Sequence, residues 1–316
     1  MHFPSACAKL YTMRPYNSLN ESLQKRFGEK LYKLTLNIGC TCPNRDGTLG
    51  TGGCIFCSAG GSGEFAGSPA LSVTEQIEAG IESLSGKRPA RRYIAYFQAY
   101  TNTYAPVDYL ERVYREALRH PKIAALAIAT RPDCLPPEVL ELLSGLNGEK
   151  PVWIELGLQT IHEETAAFIR RGYPLSVFYQ AVEALHARNL EIIVHIILGL
   201  PGETKEMMLD TVRYLNTLPV SGIKLQLLHI LKHTDLAGLY EETSFHVLTL
   251  EEYTDLVISC LEVCRPDIII HRLTGDGPKD LLLAPAWSSR KRQVLNTIHK
   301  ELKQRNTWQG RLFNPN

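Results

Sequence analysis

The sequence predicts a parallel α/β fold, with a barrel or partial barrel as the first choice and an open doubly wound sheet as the second. Three observations predict it. Seven short runs rich in Ile, Leu, Val and Tyr recur along the chain. Amphipathic segments separate them. Helix-start signals stand at the heads of several of those segments. Repeated strand–helix units build parallel sheets. Apolar runs without strict alternation suit strands covered on both faces.

Taken in order, the expected strands are Lys33–Ile38, Arg92–Gln98, Ile123–Thr130, Val152–Leu158, Ile192–Leu198, Gly222–Ile230 and Asp267–Arg272. Ser72-x-x-Glu75 reads as a capping box, in which the hydroxyl and the Glu satisfy opposite orphan amides. Asp108-x-x-Glu111 and Thr249-x-x-Glu252 read the same way. Pro136 and Pro137 mark a helix start ahead of Glu138, because proline is tolerated where no amide donor is needed. Further helices are expected over Leu175–Ala187 and after Thr204.

The chain has 316 residues, 44% apolar and 21% charged. That is ordinary for a folded protein, and the length can bury a large core without staples. Lys plus Arg number 34 and Asp plus Glu 33, giving a net charge of +1. No global field draws in nucleic acid or an anionic surface, so a polyanion would need a local patch. No window approaches the ~20 apolar residues of a membrane span. Met1 to Met13 lack a signal-like apolar run. The expectation is a cytoplasmic protein with no membrane partner. In such a reducing compartment the eight cysteines point to metal or redox chemistry rather than disulfides.

Cys40, Cys42, Cys54 and Cys57 fall within 18 residues, and seven residues from Gly39 to Gly61 are Gly. The backbone can therefore fold tightly around a guest. Ionised thiols need a positive partner, which an iron or zinc centre supplies. Two readings of the spacing stand open. All four cysteines could close a tetrahedral zinc site. Alternatively Cys42, Cys54 and Cys57 hold a four-iron cluster with one open iron, and Cys40 is a neighbour. Cys42 follows the first strand, Gln98 ends the second, Arg131 follows the third and Gly199–Gly202 follow the fifth. In a barrel, loops at those carboxyl ends carry the chemistry. Cys134, Cys260 and Cys264 could suggest a second cluster, but Cys260 and Cys264 share a helix face in an apolar run and read as core; Cys7 has no partner in sequence.

Several motifs in sequence carry a resemblance. Cys42-Pro-x8-Gly-Gly-Cys-x-Phe-Cys57 resembles the widened cysteine motif of Elongator-type radical S-adenosylmethionine (SAM) enzymes. Thr130-Arg-Pro-Asp133 resembles that group's third-strand motif. Glu155-Leu-Gly-Leu-Gln159 with Arg170-Arg-Gly-Tyr173 resembles a pattern shared with oxygen-independent coproporphyrinogen oxidases, and His195 to Thr204 resembles the fifth-strand motif of both. The resemblance implies a partial (β/α)6-type barrel over residues 32–272, after an N-terminal extension (1–31) and before a basic C-terminal extension (273–316). It implies a [4Fe–4S] cluster on Cys42, Cys54 and Cys57 that reductively cleaves SAM to a 5′-deoxyadenosyl radical. It also implies an electron donor such as flavodoxin or ferredoxin.

By the same resemblance, Gln159 contacts the SAM ribose, and Arg171 pairs with the SAM carboxylate through its planar fork. Gly60 and Gly61 approach the amino group, and the turn at Gly199 and Leu200 borders the adenine. This chain has Ala129 and His195 where the coproporphyrinogen oxidases carry acids. Ribose contacts are therefore sought at Gln98 or Asn102, with a strand-end hydrogen bond as the alternative for Gln98. His195 is either a cofactor contact or a core histidine. Glu155 is either a cofactor contact or the partner of Arg131.

A closer resemblance, to the YhcC/YtqA-like subfamily, rests on Lys33-Leu-Thr-Leu, Thr41-Cys-Pro-Asn-Arg-Asp-Gly-Thr48, Tyr96 to Tyr104, Thr130 to Cys134 and Leu283-Ala-Pro-Ala-Trp287. One branch of it is implicated in tRNA wobble-uridine modification, removing the carboxymethyl group of 5-carboxymethylaminomethyluridine to leave 5-aminomethyluridine. From Ser288 onward there are seven Lys or Arg and one acid, Glu301, with Trp308 and His299 available for stacking. Such a segment suits an RNA backbone. Lys87, Arg88, Arg91 and Arg92 form a second basic run; His271, Arg272 and Asp276 are candidate substrate contacts. The alternatives are a small-molecule or peptide substrate, or a zinc-bound RNA-binding module without catalysis.

Overall fold

The computed structural model describes residues 15–86, 90–275 and 277–315. Cys7, Lys87, Arg88 and Asp276, named above, lie outside the described residues. The strands are β1 (Tyr32–Leu36), β2 (Tyr93–Phe97), β3 (Ile123–Thr130), β4 (Val152–Gln159), β5 (Glu191–Leu198), β6 (Gly222–Leu227), β7 (Ile230–Leu231), β8 (Ile269–Arg272) and β9 (Leu282–Ala284). The helices are α1 (Leu19–Phe27), α2 (Val73–Ser85), α3 (Val107–Arg119), α4 (Pro137–Asn147), α5 (Glu163–Phe168), α6 (Leu175–His186), α7 (Lys205–Asn216), α8 (Asp235–Thr243), α9 (Leu250–Val263) and α10 (Lys291–Gln304).

One parallel sheet of seven strands runs in the order β1-β2-β3-β4-β5-β6-β8. It is open, since β1 and β8 do not pair, yet it is strongly curled. In a flat sheet β2 and β6 would stand about 19 Å apart, at ~4.8 Å per strand. Here the ammonium of Lys224 on β6 lies 3.2 Å from the Tyr96 hydroxyl on β2. The result is a half-barrel, the partial barrel rather than the doubly wound sheet.

Each strand has two different faces. Leu34, Leu36, Phe97, Ile128, Ile154, Val194 and Leu225 point outward and pack with the helices in the main core. The inner face is apolar at its lower end, where Ile94, Ala125, Trp153 and Ile193 meet Leu23, with Leu19 and Phe27 of α1 alongside. Helix α1 therefore seals the floor, and a bridge from Ser18 to Ile270 ties it to β8. Higher up the inner positions turn polar: Lys33, Glu155, His195, Lys224 and Gln226 alternate with apolar neighbours.

Both capping boxes at Ser72 and Thr249 form, and Pro137 takes the first helical position of α4. The box expected at Asp108 does not. Helix α3 starts two residues earlier than that box requires, at Val107, with Pro106 as its uncapped boundary. The run Gly222–Ile230 is two strands, not one: β6 ends at Leu227, and β7 pairs antiparallel with β9. Val294, Ile298 and Leu302 of α10 join the main core.

Candidate active site at the carboxyl ends of the strands

A cavity of about 760 Å³ opens where the parallel strands end. Cys42, Cys54 and Cys57 all line it. They arrive together because the loop after β1 is folded on itself. The amides of Arg45 and Asp46 close a turn on the Cys42 carbonyl at 2.8 and 3.2 Å, and Cys57 N–H donates to the Cys54 carbonyl at 2.9 Å. Buried Asn44 donates its side-chain amide to Cys54 Sγ (3.4 Å) and to the Arg170 carbonyl (2.7 Å). Arg45 donates to the carbonyls of Cys57 and Ser58, both at 2.7 Å, and its guanidinium sits 5.8 Å from the Tyr100 ring centre. Gly61 (φ +59°) accepts that ring: a Cβ there would fall 2.3 Å from a Tyr100 ring carbon. Asn44, Arg45 and Tyr100 fall in motifs that carry the resemblance, but the sequence assigned them no role, since lone polar residues in a loop carry no periodic signal.

Cys40 faces the other way. It belongs to the core cluster behind the sheet, where burial pushes its thiol up to about 12. In the cavity, burial and the neighbouring Cys57 raise Cys54 to about 11, against the lowering influence of Asn44 and Arg131. Burial likewise raises Cys57, and Arg45 opposes it. These thiols are therefore poised to ionise only when a strong positive centre arrives. Among the described residues no three His, Cys, Asp or Glu side chains are arranged to close round a metal ion. A tetrahedral zinc site needs that closure and needs Cys40. A cubic cluster does not, because each thiolate takes its own iron corner. The donor set thus fits an iron–sulfur cluster with three ligands and disfavours the four-cysteine zinc reading.

Comparison with known proteins decides the family. The family model described as the Radical SAM superfamily matches residues 36–215, and the Radical_SAM C-terminal domain matches residues 220–304. This chain belongs to the radical SAM superfamily. Within it, the chain falls with YtqA and YhcC. It is 43% identical over 302 residues to YtqA of Bacillus subtilis, described as uncharacterized, covering 96% of this chain and 94% of that one. A tRNA uridine(34) acetyltransferase of Methanocaldococcus infernus is 24% identical over 172 residues, 53% of this chain and 31% of its own length. The solved structure of archaeal Methanocaldococcus infernus Elp3, with its N-terminus deleted, superposes with a TM-score of 0.67 at 15% identity. It covers 88% of this chain and 64% of that chain, a likeness of fold.

The cofactors of a radical SAM enzyme are a [4Fe–4S] cluster and SAM. Of the residues expected to contact SAM, Gly61, Gln98, Gln159, Arg171 and His195 line the cavity. Gln159 ends β4 in the left-handed region (φ +64°), and its amide makes no hydrogen bond to the described residues. Gln98 donates to the Ser62 carbonyl at 2.7 Å, which is the strand-end bond weighed for it. Asn102 is fully buried and donates to the carbonyls of Phe97 and Ala129, so it ties strand ends together away from the cavity. Gly60, Gly199 and Leu200 do not line the cavity. Gly199 donates to Met208 Sδ, and Leu200 is buried in a satellite cluster with Ile55 and Ile230.

Arg171 lines the cavity and is also held by protein groups. It is 1% exposed, and its fork donates to the Tyr173 and Thr160 carbonyls at 2.9 and 2.6 Å and to Glu163 at 3.1 Å. Those bonds hold the β4–α6 connection. Glu155 does not partner Arg131. Arg131 forms a two-bond pair with Asp133 (2.9 and 2.6 Å) and donates to the Arg171 carbonyl. Glu155 instead accepts from Lys33, Lys224 and His195. Burial drives His195 down to about 4, so its neutral ring donates to the carboxylate. Cys260 and Cys264 are buried in the core, as expected, and Cys134 is buried too.

The C-terminal cations divide. Arg305 pairs with Asp255 and Arg311 with Glu262. His299, expected to stack on a base, is stacked instead on Tyr16 at 5.9 Å. Exposed Arg290, Lys291, Arg292 and Lys300 line a shallow groove at the head of α10. Lys291 and Lys279 also line the cavity. In the second run, Arg92 pairs with Glu29. No helix of the described residues is long and apolar enough to cross a membrane.

Proposed function

We propose that this radical SAM enzyme modifies a tRNA wobble uridine, removing the carboxymethyl group of 5-carboxymethylaminomethyluridine to leave 5-aminomethyluridine. The observation that carries the reading is a single deep cavity with the three thiols along one wall, whose rim runs onto the α10 cations. Similarity to tRNA uridine(34) acetyltransferases supports it. A nucleic acid substrate needs a local basic patch on a nearly neutral chain, and the groove at Arg290–Arg292 supplies one.

Cys42, Cys54 and Cys57 would hold the cluster. When bound, the cluster and SAM supply a 5′-deoxyadenosyl radical, the hard chemistry that the protein itself lacks. The chain's own residues orient and enclose. Asn44 and Arg45 fix the cysteine loop. Gln159 presents an amide with no partner among the described residues, suited to a ribose hydroxyl. Lys291 and Arg290 meet backbone phosphates at the mouth. The half-barrel keeps the reacting carbon, between the amine and the carboxylate, away from bulk water. Electrons would come from a flavodoxin- or ferredoxin-like donor.

Mass spectrometry of tRNA nucleosides from wild-type and deletion cells tests the reading. Accumulation of the carboxymethylaminomethyl nucleoside, with loss of its aminomethyl product, is expected. Unchanged wobble nucleosides would leave a small-molecule or peptide substrate in its place.

A further inference from the structure

Below the cysteine level the barrel interior holds a layer of charge that the cluster and SAM do not call for. Lys33 on β1 and Lys224 on β6 both donate to one carboxylate, Glu155 on β4. Glu155 is fully buried, Lys224 nearly so, and Lys33 keeps 18% of its side chain exposed. His195 adds a neutral donor to the same carboxylate at 2.9 Å. Tyr96 packs between the two lysines, its ring centre 4.4 Å from one ammonium and 4.7 Å from the other. Lys33 and Lys224 thus share the Glu155 carboxylate in a low-dielectric space. Burying unbalanced charge is costly unless a partner arrives.

Burial holds Lys224 well below its ordinary range, and the proximity of Lys33 adds to the effect, although Glu155 pulls the other way. A second anion would relieve both. The layer meets the cavity above through Lys224 and its neighbours Glu155 and His195, while Lys33, which does not line the cavity, keeps some exposure of its own. Trp153 and α1 close the layer below. Lys33 and Lys224 each lie three residues before the end of their strand, about 10 Å down at ~3.3 Å per residue. A backbone phosphate stays at the mouth. An acid group on an extruded base can reach that depth.

We propose that Lys33 and Lys224 form a recognition site for the carboxylate of the substrate's base substituent. The inference rests on the proposed tRNA reading and deepens it. The carboxylate-bearing nucleoside completes the layer's charge balance. The aminomethyl product has lost that carboxylate and keeps its ammonium, so the same lysines repel it. The site therefore separates substrate from product by charge.

The test measures binding of the cluster-loaded enzyme to two anticodon stem-loops that differ at the wobble base, carboxymethylaminomethyl against aminomethyl. Wild type is expected to favour the carboxylated stem-loop at least tenfold, and Lys224→Met to erase most of that preference. Should Lys224→Met fail to fold, the more accessible Lys33→Met serves, with the same expectation. Equal binding of both stem-loops by wild type overturns the proposal, as does an undiminished preference in the folded variant. A parallel loss of SAM binding also overturns it, by assigning the layer to the cofactor. If neither stem-loop binds, the tRNA reading fails, and the free nucleosides decide the inference separately. Lysine-dependent preference for the free carboxylated nucleoside supports it, and equal binding of the two refutes it.

Discussion

Gly172 and Asn44 are in contact that no larger residue could make: a Cβ on Gly172 would lie 2.5 Å from Asn44 Oδ1. Gly172 also sits at φ +85°, where a side chain is strained in any surroundings. Through Asn44 the contact reaches Cys54 Sγ. Gly172→Ala is expected to cost about 1–3 kcal/mol of stability and to lower iron retention. Chemical denaturation and iron analysis of the purified variant check the two effects.

Replacing Cys42, Cys54 or Cys57 singly with Ala is expected to strip most of the iron and to abolish SAM cleavage. Cys40→Ala should keep its iron, because that thiol lies in the core behind the sheet, and should cost about 1–2 kcal/mol through the small cavity it leaves. Iron per chain and absorbance near 400 nm, taken without air, read the contrast. Equal iron loss from Cys40→Ala would restore the four-cysteine reading.

Arg171 offers its fork to three backbone carbonyls and Glu163. A lysine cannot reproduce that planar set of donors. Arg171→Lys should therefore destabilise the fold by about 2–3 kcal/mol, the scale of leaving buried acceptors unpaired. A variant with unaltered stability but weakened SAM binding would instead mark Arg171 as a direct contact to the cofactor carboxylate.

Acid sensitivity should come from the barrel interior. His195 falls to about 4 and His271 lies well below its ordinary value, burial being the main cause for each. Both bind fewer protons folded than unfolded, so stability rises with pH. Their contribution is complete above about pH 6.5 and declines as pH falls toward the folded values, by up to about 1.4 kcal/mol per unit for each. Glu155, whose lysine partners hold it well below the ordinary carboxylate range against the opposing cost of burial, adds its own loss below about pH 4.5. His195→Gln should flatten the slope between pH 6.5 and 5 in denaturant titrations.

Arg290→Ala and Arg292→Ala should weaken tRNA binding and reduce its salt slope by about 0.7–0.9 per lost phosphate contact. Arg305→Ala and Arg311→Ala should change that slope little, since acids already hold those two cations. Binding measured across a range of salt concentrations distinguishes the pairs.

The fold was largely legible because strand and helix signals are local. Seven apolar runs foretold the sheet, and Ser72 and Thr249 set helix starts through a hydroxyl and a Glu three residues away. Asp108 failed as a start because Pro106, two residues before it, already fixes the backbone. The three thiols were legible as a cluster in one loop. The charge layer was not: Lys33, Glu155 and Lys224 are distant in sequence, and curling of the sheet alone unites them. The hydrogen bonds of Arg171 were not legible either: its motif marks the residue, but no pattern announces that the nearby Thr160 and Tyr173 carbonyls turn toward its guanidinium.

Helix α1 contributes no group to the cavity, yet it controls the electrical environment there. With Leu23 and Phe27 plugging the narrow end, solvent cannot rise beneath Trp153, and the medium around Glu155 stays weakly polarizable, where attraction between ions is strongest. Loosening that stopper would dampen the pull of Lys33 and Lys224 on any guest without altering either lysine.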